Sequence, residues 1–156
     1  MFSGKTSKSV VPKAQADGVP PEPWFRGGLR FECTGCGDCC TGAPGYVWVS
    51  AEEIEKLAYV LGLSVAAFEA GYVRVVENRK SLVEMEQGDC VFFDRGSRRC
   101  RVYEHRPMQC RTWPFWQSNL RTPAMWEAVA RICPGCNRGK LYTVGEILVE
   151  ARRVIV

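Results

Sequence analysis

Nine cysteines stand against a single histidine in this chain of 156 residues, and four of the nine fall within eight consecutive positions. Cys33, Cys36, Cys39 and Cys40 form a C-x2-C-x2-C-C run interleaved with Gly35, Gly37 and Gly42. Glycine lets the backbone turn tightly and aim N–H groups at thiolate sulfur, which softens the cost of gathered negative charge. A disulfide framework fits poorly, because an odd count leaves a thiol over. Residues 1–23 also lack the apolar stretch of a secretory signal, so the expectation is a reducing, cytoplasmic setting. There, clustered cysteines bind metal or do redox chemistry.

A C-x2-C step suits two sulfurs on one metal, and such steps in series resemble part of the bacterial ferredoxin run. The adjacent pair Cys39 and Cys40 adds a constraint. In an extended backbone, neighbouring side chains point to opposite faces, which favours two centres or one multinuclear centre over a single ion. Downstream lie Cys90, Cys100, Cys110, Cys133 and Cys136. Any one of these alone reads as a small buried hydrophobe. Beside the first cluster they read as ligands, because four-sulfur sites take cysteines in fours and eight remain when one is set aside.

Composition narrows the setting. The chain is 46% hydrophobic and 24% charged, which excludes disorder throughout, and no apolar run reaches the roughly 18 residues of a membrane helix. The formal charge of +4 treats every thiol as neutral. Eight thiolates holding two zinc ions would bring it to zero, so the surplus arginine makes no case for a nucleic-acid partner.

Residues 1–23, with Pro12, Pro20, Pro21 and Pro23, read as a flexible tail, and residues 24–156 as one domain. Ser50 to Glu53 is a capping box that opens a helix with stripe Ile54, Leu57, Ala58 and Leu61. Ser64 caps a shorter helix through about Gly71. Thr122-Pro123 starts a third, whose stripe Trp126, Val129, Ala130 and Cys133 puts Cys133 on the buried face. Thr143 to Glu146 is a second capping box, followed by Val144, Ile147, Leu148 and Ala151. Val73–Val76, Ser81–Met85, Cys90–Phe93 and Cys100–Tyr103 read as short strands, with a turn over Asp94–Arg99. The expected fold is a small α+β domain of about four helices, with short strands and loops organised around a cysteine-ligated metal centre.

The ordered motifs resemble a known family. Cys33-Thr34-Gly35-Cys36-Gly37-Asp38-Cys39-Cys40, then Asp89-Cys90-Val91-Phe92, then the run from Cys100 to Phe115, then Cys133-Pro134-Gly135 look like the CxxCxxCC, or YkgJ-type, cysteine-cluster proteins. The resemblance spans roughly residues 31–136. It implies a zinc- or iron-chelating domain whose eight cysteines map to Cys33, Cys36, Cys39, Cys40, Cys90, Cys100, Cys110 and Cys133. Cys136 falls outside that pattern. A related cluster occurs in the flagellin lysine-N-methylase, which implies an alternative: a metallocluster-dependent enzyme carrying out methyl transfer or redox chemistry.

Other residues take roles around this centre. Arg106 and Arg111 lie inside the motif and suit donation to thiolates or to an anionic substrate group. Arg95, Arg98 and Arg99 read as ordinary surface charges. His105 is superfluous as a ligand when the cysteines suffice. Trp113, Phe115, Trp116 and Trp126 read as an apolar wall around the centre. No nucleophile motif, phosphate loop, dinucleotide fingerprint or histidine zinc-protease motif is present. The cofactor expected is zinc or an iron–sulfur cluster, the partner a metal ion, and ligand type alone does not separate the two metals.

Overall fold

A computed structural model describes residues 22–156; most of the expected tail, residues 1–21, lies outside the described residues. The fold is α+β, built from helices and three separate two-stranded antiparallel ribbons. Strand β1 (Leu29–Phe31) pairs with β6 (Lys140–Tyr142), with Leu29 opposite Tyr142. Strand β2 (Val73–Val76) pairs with β3 (Arg79–Leu82), and β4 (Phe93–Asp94) with β5 (Arg99–Cys100).

The two capping boxes form as their spacing requires. The Ser50 hydroxyl accepts from the Glu53 N–H, and the Glu53 carboxylate accepts from the Ser50 N–H, opening helix α1 (Ala51–Val60). Thr143 and Glu146 repeat the arrangement at helix α6 (Val144–Arg152). Ser64 caps α2 (Val65–Tyr72), and the Thr122 hydroxyl accepts from the Met125 N–H ahead of α5 (Pro123–Ile132). The predicted stripes face inward: Ile54, Leu57, Trp126, Val129 and Ile147 are all buried.

Three strand expectations are corrected. The second predicted strand is displaced, running Arg79–Leu82 instead of Ser81–Met85. Cys90–Phe93 is mostly a turn closed by the Phe93 N–H on the Cys90 carbonyl at 2.8 Å; Cys90 makes one isolated bridge to Glu84, and Phe93 pairs in β4. Cys100–Tyr103 keeps only Cys100 in a strand, because the chain then winds into a 3-10 turn, Tyr103–His105. Two short helices, α3 (Met108–Thr112) and α4 (Gln117–Leu120), add to the predicted four.

The apolar residues form two clusters instead of one. The first gathers Phe25, Leu29, Phe31, Phe115, Trp126, Val129 and Ile147, from β1, α5, α6 and their connections. The second gathers Ile54, Leu57, Phe68, Leu82, Phe92 and Val102, from α1, α2, β3 and the hairpin region. Phe115 stacks on Trp126 in the first, and Phe68 on Phe92 in the second. Helix α3 ties neighbouring loops together. Its buried Gln109 accepts from the Trp48 N–H and donates to the Tyr46 carbonyl, both at 2.8 Å. Its first N–H, at Met108, donates to Glu53 at 2.6 Å, so one carboxylate serves two helix starts.

Candidate metal centre

The loop Cys33–Cys40 leaves β1 and turns at Gly37, whose φ is 78°. A Cβ at Gly37 would come within 2.5 Å of the Arg98 carbonyl and the Phe93 ring, so only glycine lets this loop lie against the β4–β5 hairpin. Arg98 pairs with Asp38 at 2.6 Å across the same junction. Asp38–Cys40 then forms one 3-10 turn. The extended backbone expected for Cys39 and Cys40 is therefore absent, and with it the reason for their thiols to face apart. The Cys40 thiol contacts both Cys39 and Cys100.

The remaining cysteines arrive from separate elements. The Cys90 N–H donates to the Cys40 carbonyl at 2.8 Å, Cys100 ends β5, Cys110 lies in α3, and Cys133 caps α5. All eight cysteines of the predicted set line one cavity of about 450 Å³. Phe31 and Cys133 bring the first hydrophobic cluster to its wall; Leu82, Phe92 and Val102 bring the second. The cavity thus occupies the seam between the two cores. Among the described residues, no three His, Cys, Asp or Glu side chains are gathered into an arrangement closed around one ion. The sulfurs surround a space without converging on a point.

Donors and charge favour thiolate at Cys39 and Cys100, whereas burial and contacts favour the thiol at Cys36, Cys40, Cys90 and Cys110. Hydrogen bonding to Cys40 draws the Cys39 and Cys100 thiols down to about 7, with Arg106 contributing to both. The Cys40 thiol is pushed far up by the same two contacts, first the one to Cys100. Burial raises Cys90 to about 11 and raises Cys110 further. The Tyr103 hydroxyl donates to the Cys33 sulfur at 3.3 Å, and the Trp113 indole N–H to the Cys133 sulfur at 3.5 Å. Eight sulfurs in the lining, with O–H, N–H and guanidinium groups beside them, form a soft donor set that fits zinc or iron.

The arginines separate. Arg106 lines the cavity with its guanidinium 3.5 Å from the Tyr103 ring centre. Arg111 is not among the lining residues; its Nε donates to the Arg106 carbonyl at 2.8 Å. Arg95 pairs with Asp89, whereas Arg99 reaches the cavity wall. His105 is not a lining residue, and its Nδ1 is buried without a partner among the described residues. Of the aromatic wall, Trp113 lines the cavity, while Phe115 and Trp126 are core. Tyr103 and Trp113 as sulfur donors, and Gln109 as a brace, are missed by sequence reasoning. The available signal was their position inside the cysteine motif.

A second cavity of about 540 Å³ shares Cys39, Cys40, Cys90, Leu82 and Trp113 with the first. Its other walls include Tyr46, Trp48 and Trp116. No helix among the described residues is long and apolar enough to cross a membrane.

Comparison with known proteins agrees with the cysteine pattern. Residues 32–134 match the CxxCxxCC family, described as "Putative zinc- or iron-chelating domain". The chain is 29% identical over 91 residues to the uncharacterized protein MJ0661 of Methanocaldococcus jannaschii, a stretch covering 58% of this chain and 48% of that protein. The match thus spans about half the length of that relative. No solved structure matches. The match over residues 32–134 covers about two-thirds of the sequence and all eight cavity cysteines: the chain belongs to the CxxCxxCC family.

Proposed function

We propose that residues 24–156 form a cytoplasmic metal-binding domain that holds zinc or an iron–sulfur cluster through the thiolates of Cys33, Cys36, Cys39, Cys40, Cys90, Cys100, Cys110 and Cys133. The observation that carries this reading is the single cavity lined by these eight sulfurs. One tetrahedral ion takes four thiolates, so eight around one space favour two ions or a multinuclear centre. The contact between adjacent Cys39 and Cys40 no longer bears on that choice. A closed all-sulfur zinc site is structural, whereas an iron–sulfur cluster on the same ligands supplies electron transfer.

The chain's own part is to gather and stabilise negative sulfur. Tyr103 and Trp113 donate to Cys33 and Cys133, and Arg106 offsets charge at Cys39 and Cys100. Arg111 holds the Arg106 backbone and stays a candidate anion contact on the outer side. Metal content and melting temperature of Cys36→Ser and Cys110→Ser proteins test the ligand set. Both quantities should fall; retention of both overturns the assignment.

A second reading is a metallocluster-dependent enzyme of methyl transfer or redox type, related to the flagellin lysine-N-methylase. The adjoining aromatic cavity favours it, because it offers room for a substrate against Cys39, Cys40 and Cys90. Of the two arginines assigned to an anionic substrate group, Arg106 would act from the cysteine cavity that adjoins this one, whereas Arg111 lines neither cavity. Calorimetry of the metal-replete protein with a methyl donor decides the methyl-transfer version, and absence of heat removes it.

A further inference from the structure

Deepening the reading in which the second cavity holds a substrate, we propose that this cavity binds a small monocarboxylate with a ring-sized apolar body. The carboxylate meets the Arg79 guanidinium, and the body packs against Tyr46, Trp48 and Trp116, beside Cys39, Cys40 and Cys90. At about 540 Å³ the cavity has the volume of a small-molecule pocket, and such pockets pair apolar walls with a few placed polar groups. The aromatic walls are fixed in advance. Tyr46 and Trp48 stack with ring centres 4.8 Å apart. One residue holds all three walls. The Gln109 side chain donates to the Tyr46 carbonyl and accepts from the Trp48 N–H, and the Gln109 carbonyl accepts from the Trp116 indole at 2.9 Å. Walls ordered before a ligand arrives spare the cost of ordering them on binding.

Charge sets the ligand's polar end. Neither Arg106 nor Arg111 belongs to these walls, whereas Arg79 does. Its guanidinium lies 3.9 Å from the Trp48 ring centre, and stacking of this kind leaves the edge N–H groups for an acceptor. Nη2 donates to the Ile155 carbonyl at 3.3 Å, and among the described residues no carboxylate pairs with Arg79. Ile155 is 75% exposed, so little packing holds that neutral acceptor in place. A carboxylate makes the stronger, charge-assisted bond and takes over from it. The two acids in the wall, Asp38 and Glu84, are already met by Arg98 at 2.6 Å and Arg74 at 2.9 Å. One guanidinium therefore answers one negative charge, which suits a carboxylate better than the nearly doubly charged phosphate monoester.

The test is calorimetry of the full chain with benzoate as the probe, on protein purified without oxygen and assayed for metal in the same sample. Benzamide has the body without the charge, and acetate the charge without the body. Each should bind at least about 10-fold more weakly than benzoate. Arg79→Gln should weaken benzoate about 10-fold and leave benzamide where it was, and Arg79→Lys should restore part of the loss. The three-probe comparison on wild type needs no variant, so it decides the proposal even where Arg79→Gln does not fold.

Absence of benzoate binding overturns the proposal, as does benzamide or acetate binding as tightly as benzoate. So does an unchanged benzoate affinity in folded Arg79→Gln. Metal-loaded protein that ignores benzoate removes this site and leaves the metal centre standing. Metal-free protein that binds benzoate through Arg79 keeps the site and removes the metal reading. Benzoate binding without heat from a methyl donor keeps the site and removes methyl transfer.

Discussion

The Tyr103 hydroxyl donates to the Cys33 sulfur at 3.3 Å, joining a 3-10 turn after the β4–β5 hairpin to the first cysteine of the motif, 70 residues earlier. The bond raises the Tyr103 hydroxyl above its ordinary value, chiefly through that contact with Cys33. The ring also carries the Arg106 guanidinium, which in turn acts on Cys39 and Cys100. Tyr103→Phe keeps the ring and removes only the donor. Metal affinity should drop by up to about 10-fold, measured by chelator competition, with stability changed by about 0.5 kcal/mol or less.

Gly37 tests whether the cysteine loop must rest on the hairpin. Its φ of 78° and the 2.5 Å approach to Arg98 and Phe93 make Gly37→Ala both strained and sterically blocked. Strain of this kind costs about 1–3 kcal/mol, and the loop must also lift away. Gly35→Ala is the control: its φ is 68°, but a Cβ there meets nothing within 4 Å. Metal analysis of the two proteins should show a marked loss for Gly37→Ala and a much smaller one for Gly35→Ala.

Gln109 braces the site from behind. Gln109→Leu keeps a side chain of similar size but removes the amide, leaving the Trp48 N–H and Tyr46 carbonyl without their partner. Because those groups are only partly buried, the cost should be about 1–3 kcal/mol, read from the denaturant midpoint. The neighbouring Cys110 should lose its place, so metal content should fall in the same protein.

Helix α6 gives the chain an acid-side dependence independent of the metal. Glu146 is drawn down to about 2, first by Lys140 at 2.8 Å and then by the Thr143 N–H. A carboxyl lowered on folding stabilises above its ordinary value, about 4.3, and loses that contribution as pH falls through its folded value. Wild type should therefore lose melting temperature between about pH 4 and 2 more steeply than Glu146→Gln, and the two curves should run parallel above about pH 5.

The sequence was most legible where the chain carries its own local instruction. Ser50 with Glu53, and Thr143 with Glu146, are reciprocal bonds over three residues, so the helix starts at α1 and α6 needed no tertiary knowledge. The β1–β6 ribbon was invisible: Leu29-Arg30-Phe31 is three residues long, and its partner lies more than a hundred positions away. Cys90–Phe93 misled because a short apolar run looks alike in a strand and in a turn between two buried side chains. The order of the cysteine motifs pointed to a common set, but the backbone geometry of Cys39 and Cys40 did not follow from spacing. It depends on Gly37 packing against Phe93 and Arg98, a contact across about 60 residues. Cys136, which the sequence reading set aside from the ligand set, does not line the cavity.

The central claim is that eight cysteines of one cavity hold metal and the ninth does not. Its most direct test is metal and acid-labile sulfide analysis of protein purified without oxygen, with thiol alkylation mapped on the same native sample and an absorption spectrum recorded alongside. The account predicts zinc, or iron with sulfide and a broad band near roughly 400 nm. Cys33, Cys36, Cys39, Cys40, Cys90, Cys100, Cys110 and Cys133 should resist alkylation until a chelator or acid releases the metal. Protein free of both zinc and iron, with the solvent-exposed Cys33 and Cys39 alkylated at once in the native state, would contradict it.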